Sequence, residues 1–182
     1  MAFQLSALIV QGDLTEDARG VFETLGFPEG IEAGTVPFIE ATSPQQFSRC
    51  IGSTGDWTMI TDAMPFVSYS KTAQIGSLWS REVATFLKDA SAGGRRSFGF
   101  IMSKLSSNSG FSLHVDGEHQ RSLLAQMGNI LVSEGQPLKA ENVVAKTGNK
   151  ELAIFQLMEE LKVPFHDFES VRFHYFAFER ND

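Results

Sequence analysis

Two histidines on either side of a predicted tight turn have the spacing that comes closest to a chemical site. They lie in the stretch His114-Val115-Asp116-Gly117-Glu118-His119, and Asp-Gly is a strong signal for a two-residue hairpin turn. Such a turn would set His114 directly opposite His119, with Cβ atoms roughly 4.5–5.5 Å apart. By strand alternation, Asp116 and Arg121 would share that face. Two imidazoles and a carboxylate suit a transition metal, so His114, Asp116 and His119 are a candidate metal or enzymatic site.

The non-functional alternative for this stretch is a solvated polar face of a hairpin on which the histidines are incidental. The other two histidines, His166 and His174, lie near the C-terminus, and the sequence places no nucleophile beside them. Cys50 lies at the end of a predicted apolar helix over 43–51. We therefore expect a buried, inert thiol there rather than a nucleophile.

The common catalytic and nucleotide-binding signatures are absent from the sequence. It contains no G-x-x-x-x-G-K-[ST], G-x-G-x-x-G, H-E-x-x-H or G-x-S-x-G pattern, and a single cysteine cannot supply C-x-x-C. We therefore expect no cofactor, and the sequence leans away from an enzyme.

The charge of the chain is concentrated in its first quarter. The whole sequence has 22 acidic and 15 basic residues, a net charge of −7, whereas nucleic-acid binders usually carry a basic excess. Residues 1–48 hold seven carboxylates against Arg19 alone. An acidic face steers a basic partner towards it, although net charge also simply maintains solubility. The candidate partner-binding residues are Asp13, Glu16, Asp17, Glu29, Glu32 and Glu40.

The lone cysteine and the N-terminal run indicate a compartment. One cysteine cannot form an intramolecular disulfide, which fits a reducing environment. The apolar run at the N-terminus is short, has no basic flank and ends at Gln11-Gly12-Asp13, so it suits a strand better than a signal peptide or membrane span. The expectation is a cytoplasmic protein that binds neither nucleic acid nor membrane.

Hydrophobic periodicity predicts the elements that must position these residues. The predicted strands cover 3–10, 57–61, 98–102, 111–115, 121–126, 130–133 and 171–178, and the predicted helices cover 13–25, 43–51, 78–90 and 149–161. Residues 28–42 contain prolines and glycines without a period, which predicts a long surface loop. Residues 139–148 are ambiguous.

The order of these elements predicts the fold class. At 182 residues the chain has the length of a single domain, over 1–182. Consecutive strands predict an antiparallel sheet, with a meander at about 97–133 joined by the N- and C-terminal strands. The class is α+β, with helices mainly on one face. The predicted strand over 171–178 is apolar on both faces, which favours either a covered central strand or a homodimer interface.

One segment resembles a known group of proteins. Asp116-Gly117, Arg121, Gly128-Asn129 and the run 133–138 (Ser-Glu-Gly-Gln-Pro-Leu) form a pattern similar to that of small uncharacterised bacterial proteins, several of which occur in toxin–immunity or other interaction contexts. The resemblance covers residues 116–138 and brings no catalytic residue with it. It implies a protein-binding role of immunity type.

These observations together favour a non-enzymatic bacterial domain that binds another, basic protein through residues 13–40. An enzyme or metal-binding protein built around His114, Asp116 and His119 is the first alternative. A small-ligand module that uses the aromatic-rich sheet and the 28–42 loop as a pocket is the second.

Overall fold

A nine-stranded antiparallel sheet organises the part of the chain that the computed structural model describes, which comprises residues 4–27, 30–43, 48–62, 78–103, 108–142 and 150–178. The strands are β1 (Gln4–Gln11), β2 (Ile31–Pro37), β3 (Ser48–Thr54), β4 (Trp57–Asp62), β5 (Arg96–Ser103), β6 (Asn108–Val115), β7 (Glu118–Gln126), β8 (Asn129–Gly135) and β9 (Arg172–Ala177). Their spatial order is β2-β9-β3-β4-β1-β5-β6-β7-β8, so β2 and β8 form the two edges. The predicted α+β class and the β5–β8 meander are confirmed.

Short helices and 3-10 turns connect the strands. The helices are α1 (Ala18–Thr24), α2 (Phe38–Ala41), α3 (Arg81–Ala90) and α4 (Lys150–Leu161), and the 3-10 turns cover Thr15–Asp17, Lys139–Glu141 and Phe165–Ser170. The predicted helices over 78–90 and 149–161 are confirmed with shifted ends. The Ser80 hydroxyl accepts a hydrogen bond from the Val83 amide and caps α3, so this helix begins two residues after Trp79.

The helices cover both faces of the sheet, which corrects the prediction that they lie mainly on one face. Leu5, Ala7 and Ile9 of β1 share one core with buried residues of α2 and α4. Leu8 and Val10, on the opposite face of the same strand, pack with α1 and α3. A central strand covered on both faces is apolar at nearly every position, which explains why β1 reads as a continuous apolar run.

Two predictions about residues 28–51 are wrong. The predicted loop contains edge strand β2 and helix α2. Its Gly34 and Pro37 suit an edge, where a bulge is tolerated and a missing N–H costs nothing. The predicted helix over 43–51 overlaps β3 instead, because tertiary burial on both faces overrides the apparent serine-proline cap. Residues 44–47 lie outside the described ranges.

The aromatic C-terminal strand is an interior strand. β9 pairs with β2 on one side and with β3 on the other, and its Phe173 and Phe176 are buried in the two different cores. Its apolar character on both faces therefore reflects coverage within the chain. Among the described residues, none of the helices has the length and apolar character needed to cross a membrane.

Candidate functional site

A run of capped turns between β1 and α1 presents the first acidic residues. The Asp13 carboxylate accepts hydrogen bonds from the amide and the hydroxyl of Thr15 and from the Ser53 hydroxyl, and these bonds lower its pKa. Asp17 then caps α1 by accepting from the Gly20 amide at 3.2 Å. The 3-10 turn at Thr15–Asp17 lies between these two sets of hydrogen bonds, and the side chain of its Glu16 is exposed.

An open cleft of about 630 Å³ lies between this turn and the β2 edge of the sheet. It is lined by Thr15, Glu16, Asp17, Ala18, Arg19, Gly30, Ile31, Glu32, His174 and Phe176. The carboxylates of Glu16, Asp17 and Glu32 therefore reach one cleft from two separate elements. Nε of Arg19 lies 3.7 Å from Oε1 of Glu23, which follows it by one helical turn. The positive charge of Arg19 is therefore partly offset by a carboxylate outside the cleft lining. The cleft is acidic, and Ile31 adds an exposed apolar side chain at its rim.

His174 and Glu32 form a short side-chain contact within the cleft. The Nδ1 atom of His174 lies 2.6 Å from Oε1 of Glu32, across the β2–β9 pair. On the same strands, Arg172 donates from Nε to the Thr35 hydroxyl and from Nη2 to its carbonyl. These contacts attach the edge strand β2 to β9 and fix the orientation of the Glu32 carboxylate.

The six predicted acidic residues therefore have different roles. Glu16, Asp17 and Glu32 are brought together in the cleft. Asp13 lies beside the cleft, but its carboxylate accepts hydrogen bonds that hold the turn. Glu40 lies on α2, against the other face of the sheet, so it belongs to a different surface. Glu29 lies outside the described residues.

The predicted histidine pair forms. His114 lies opposite His119 in the β6–β7 register, and their ring centroids are 5.3 Å apart. Burial, then the neighbouring His119 and Lys88, lower the pKa of His114 to about 4. Its Nδ1 atom has no hydrogen-bond partner among the described residues. His119 interacts through Nε2 with the Ser122 hydroxyl at 2.8 Å.

The rest of the predicted metal site does not assemble. The Asp116 carboxylate accepts a hydrogen bond from the Gly94 amide at 2.7 Å and thereby ties the turn to the end of α3. Among the described residues, no three histidine, cysteine, aspartate or glutamate side chains are grouped so that they could hold a metal ion. The structure therefore brings together two of the three proposed ligands.

Arg121 lies on the opposite face from the histidines, contrary to the alternation argument. The β6–β7 register shifts between Leu113 and His114, so that Leu113 faces Arg121 while His114 faces His119. The skipped residue, Gln120, reverses the alternation of the strand. Arg121 instead makes two hydrogen bonds to Glu141, from Nε at 2.8 Å and from Nη2 at 2.7 Å.

Cys50 is buried, as expected, but in strand β3 rather than in a helix. Burial raises the pKa of its thiol to about 12, despite a hydrogen bond with Thr61. At neutral pH the group is therefore a neutral thiol and not a thiolate nucleophile.

A buried ion pair between β3 and β4 is not evident from the sequence. Arg49 of β3 donates to Asp62 of β4 from Nε at 2.9 Å and from Nη2 at 2.7 Å. Its guanidinium carbon lies 3.1 Å from the ring centroid of Phe27 and 4.7 Å from that of Phe178. Burial lowers the pKa of Arg49, and the opposing charge of Asp62 acts against this shift.

The sequence also missed the pairing of His174 with Glu32, because 142 positions separate the two residues. The one usable signal was His174 on an alternating strand. Neither protein-family models nor comparisons with curated proteins and solved structures give a match for this chain.

Proposed function

We propose that this chain is a non-enzymatic protein-binding module of immunity type, acting in the bacterial cytoplasm, whose acidic cleft receives a basic surface of its partner. The observation that carries this proposal is the convergence of Glu16, Asp17 and Glu32 on one open cleft. A cleft whose lining carries an excess of one sign of charge, as here with three carboxylates against Arg19, raises the association rate of an oppositely charged partner.

The build of the cleft favours a macromolecular partner over a small ligand. It is open to solvent, its acidic groups come from two elements, and the exposed Ile31 at the rim offers apolar contact beside the charges. Protein interfaces commonly combine an apolar centre with a polar rim, whereas small-molecule sites are mostly enclosed and apolar. A partner lysine or arginine would meet carboxylates already fixed by the Asp17 cap and the His174 contact.

The proposed mechanism is occlusion. The partner would dock its basic surface over the cleft, and the bound chain would cover whatever that surface normally contacts. Charge complementarity would act mainly on the association rate and on the choice of partner. Because exposed charges are screened by salt, that rate would fall as ionic strength rises.

Capture from the host lysate under gentle conditions tests the proposal. Untagged wild-type chain, a Glu16→Lys/Glu32→Lys variant and a Glu159→Lys/Glu160→Lys control are coupled to resin, and the retained proteins are quantified by mass spectrometry. The control makes the same charge change on α4, on the other face of the sheet. Asp17 is left intact because it caps α1.

The expected result is a basic protein retained at fixed stoichiometry by wild type and control, and lost with the cleft variant. Equal retention by all three chains would remove the cleft from the binding surface. Retention of a small molecule in place of a protein, seen by native mass spectrometry, would replace the proposal with the ligand-binding alternative.

A further inference from the structure

The β6–β7 hairpin carries a histidine pair that the proposed function does not use. His114 and His119 lie opposite each other in the strand register, with ring centroids 5.3 Å apart and ring planes at 66° to each other. The pair lies towards the β8 edge of the sheet, whereas the acidic cleft lies at the β2 edge. A role for these two imidazoles is therefore independent of partner binding at the cleft.

His114 has a buried ring nitrogen that the fold does not pair. The residue is only 6% exposed, and its Nδ1 atom makes no hydrogen bond within the described part of the chain. Buried polar atoms in folded proteins are nearly always paired, so an exception calls for an explanation. Burial also lowers the pKa of His114 to about 4, so its ring is neutral at physiological pH, the form in which histidine binds a metal ion.

The tautomer of His119 follows from the hydrogen bonds around it. The Ser122 hydroxyl donates its single proton to the Ser112 hydroxyl at 3.1 Å. The oxygen of Ser122 therefore accepts a hydrogen bond from the Nε2–H group of His119, at 2.8 Å. The lone pair of this imidazole is then on Nδ1. Metal-binding histidines are usually oriented in this way, by a hydrogen bond from the ring nitrogen that does not bind the metal.

The separation of the two rings fits one shared metal ion. Bonds between zinc and imidazole nitrogen are about 2.1 Å long, which puts the centroid of each ring roughly 3.2 Å from the ion. Two such rings at a tetrahedral angle have centroids about 5.2 Å apart. The centroids of His114 and His119 are 5.3 Å apart. The hairpin therefore spaces the two imidazoles for joint ligation without a change in strand register.

We propose that His114 and His119 together bind one divalent metal ion of the zinc, copper or nickel type, with water completing its coordination. Imidazole suits these ions, whereas calcium and magnesium take oxygen ligands. Asp116 is not a ligand, because its carboxylate holds the Gly94 amide. Closed structural zinc sites have four protein ligands, so two histidines make an open site at which other ligands exchange.

Lys88 of α3 opposes the site and limits its affinity. Burial is the main cause of the lowered pKa of His114, and the charges of His119 and Lys88 add to it. The ammonium group that disfavours a proton on His114 also disfavours a metal ion there. Its side chain is exposed, so solvent and salt weaken this repulsion without removing it. Removing the charge of Lys88 should therefore strengthen binding at the histidine pair, a response not expected of an ion held by carboxylates elsewhere on this acidic chain.

Titration of the untagged full chain with zinc chloride, followed by isothermal calorimetry, tests the site. Wild type should bind one zinc ion at the hairpin. His119→Gln removes one ligand and should raise the zinc dissociation constant at least about tenfold. Lys88→Gln should lower that constant. His166→Gln removes a histidine whose side chain is 91% exposed, and should leave the constant unchanged. Circular dichroism checks that the variants fold.

Nitrogen NMR of the histidine rings locates the ion in the wild-type chain, with no substitution needed. Zinc should shift the Nδ1 resonance of His119 and a ring-nitrogen resonance of His114, and should leave the ring of His166 unchanged. Three results would overturn the proposal. They are a wild type that binds no zinc, zinc binding that His119→Gln leaves intact, and zinc-induced shifts confined to residues outside the pair.

Discussion

Arg121 and Glu141 form a buried ion pair with two hydrogen bonds. It fixes the β7–β8 end of the meander to the 3-10 turn at Lys139–Glu141. The Nη1 group of the guanidinium also finds acceptors, since it donates to the Ser133 hydroxyl and to the carbonyls of Glu134 and Gly135. Glu141 Oε1 additionally accepts from the Leu138 amide. One arginine therefore joins β7, the end of β8 and the 3-10 turn at Lys139–Glu141.

This network gives a structural role to the segment whose pattern resembles interaction proteins. Arg121, Ser133, Glu134 and Gly135 all belong to that pattern, and here they hold a turn together. The arginine at 121 follows from that role, because a planar guanidinium with five donors suits two carboxylate oxygens and several carbonyls at once. The pattern alone therefore does not locate the partner-binding surface.

Replacing Arg121 should destabilise the fold strongly. Arg121→Met leaves the Glu141 carboxylate largely buried without its partner, and we expect a loss of roughly 3–5 kcal/mol in the free energy of unfolding. Urea denaturation measures it. The control is Arg19→Ala, which removes the exposed Arg19–Glu23 pair and should cost less than about 0.5 kcal/mol.

A second substitution at the same site provides a further check. Adding Glu141→Leu to Arg121→Met removes the stranded charge and should recover part of the lost stability. A double variant less stable than Arg121→Met alone would show that the cost does not arise from an unpaired carboxylate.

Gly135 should tolerate no side chain. Its φ is +79°, and a Cβ atom there would collide with the Gln120 carbonyl oxygen. Gly135→Ala should therefore lower stability by more than Gly93→Ala, whose φ of +75° is similar but whose Cβ would meet open space. The φ strain alone costs about 1 kcal/mol, so the excess measures the collision. Equal losses in thermal or urea unfolding would show that the backbone at Gly135 moves freely.

Acidification should weaken the fold through His114. Its folded pKa of about 4 lies below the unfolded value of about 6.5, so the folded state resists protonation. The contribution of His114 to the free energy of unfolding is fully present above pH 6.5. About 3 kcal/mol of it is lost as the pH falls towards 4. Urea unfolding at a series of pH values should show this slope in wild type and a smaller one in His114→Gln.

The exposed His166 supplies the control for that series, since its side chain is 91% exposed. His166→Gln should keep the wild-type slope. A His114→Gln variant with the full slope would assign the pH dependence to other groups.

The Cys50 thiol should be unreactive in the folded chain. Because it is buried and its thiol pKa is raised to about 12, a disulfide reagent should modify it only when the chain unfolds. The labelling rate at neutral pH should therefore be far below that of an exposed thiol, and it should reach a plateau only at reagent concentrations where labelling outpaces reclosing of the chain. In denaturant the same chain should react rapidly at one thiol. Fast labelling of the native protein would contradict the burial of β3.

The parts of the fold that could be predicted are those where sequence period and burial agree. The stripe of Val83, Phe86 and Leu87 marks α3, and the alternation around Asp116-Gly117 marks the β6–β7 hairpin. The predictions for the segments that form β2 and β3 are wrong for opposite reasons. β2 is an exposed edge without an apolar face, and β3 is buried on both faces, so neither shows the alternation of a half-buried strand.

The candidate site was predictable only in part, because its geometry depends on contacts between distant residues. The cluster of acids at Glu16 and Asp17 was visible as local charge, but its meeting with Glu32 depends on the pairing of β2 with β9. The histidine pair followed from the turn, yet one skipped residue at Gln120 moved Arg121 to the other face. Bulges leave no reliable trace in a single sequence.

The most direct test of the acidic cleft is the association rate of the chain with the partner that wild type retains, measured by stopped flow at low and at physiological salt. We expect Glu16→Lys/Glu32→Lys to slow association about tenfold or more at low salt and to reduce its salt dependence, with Glu159→Lys/Glu160→Lys close to wild type. Equal rates and equal salt dependence for the cleft variant and wild type would contradict a function carried by this cleft.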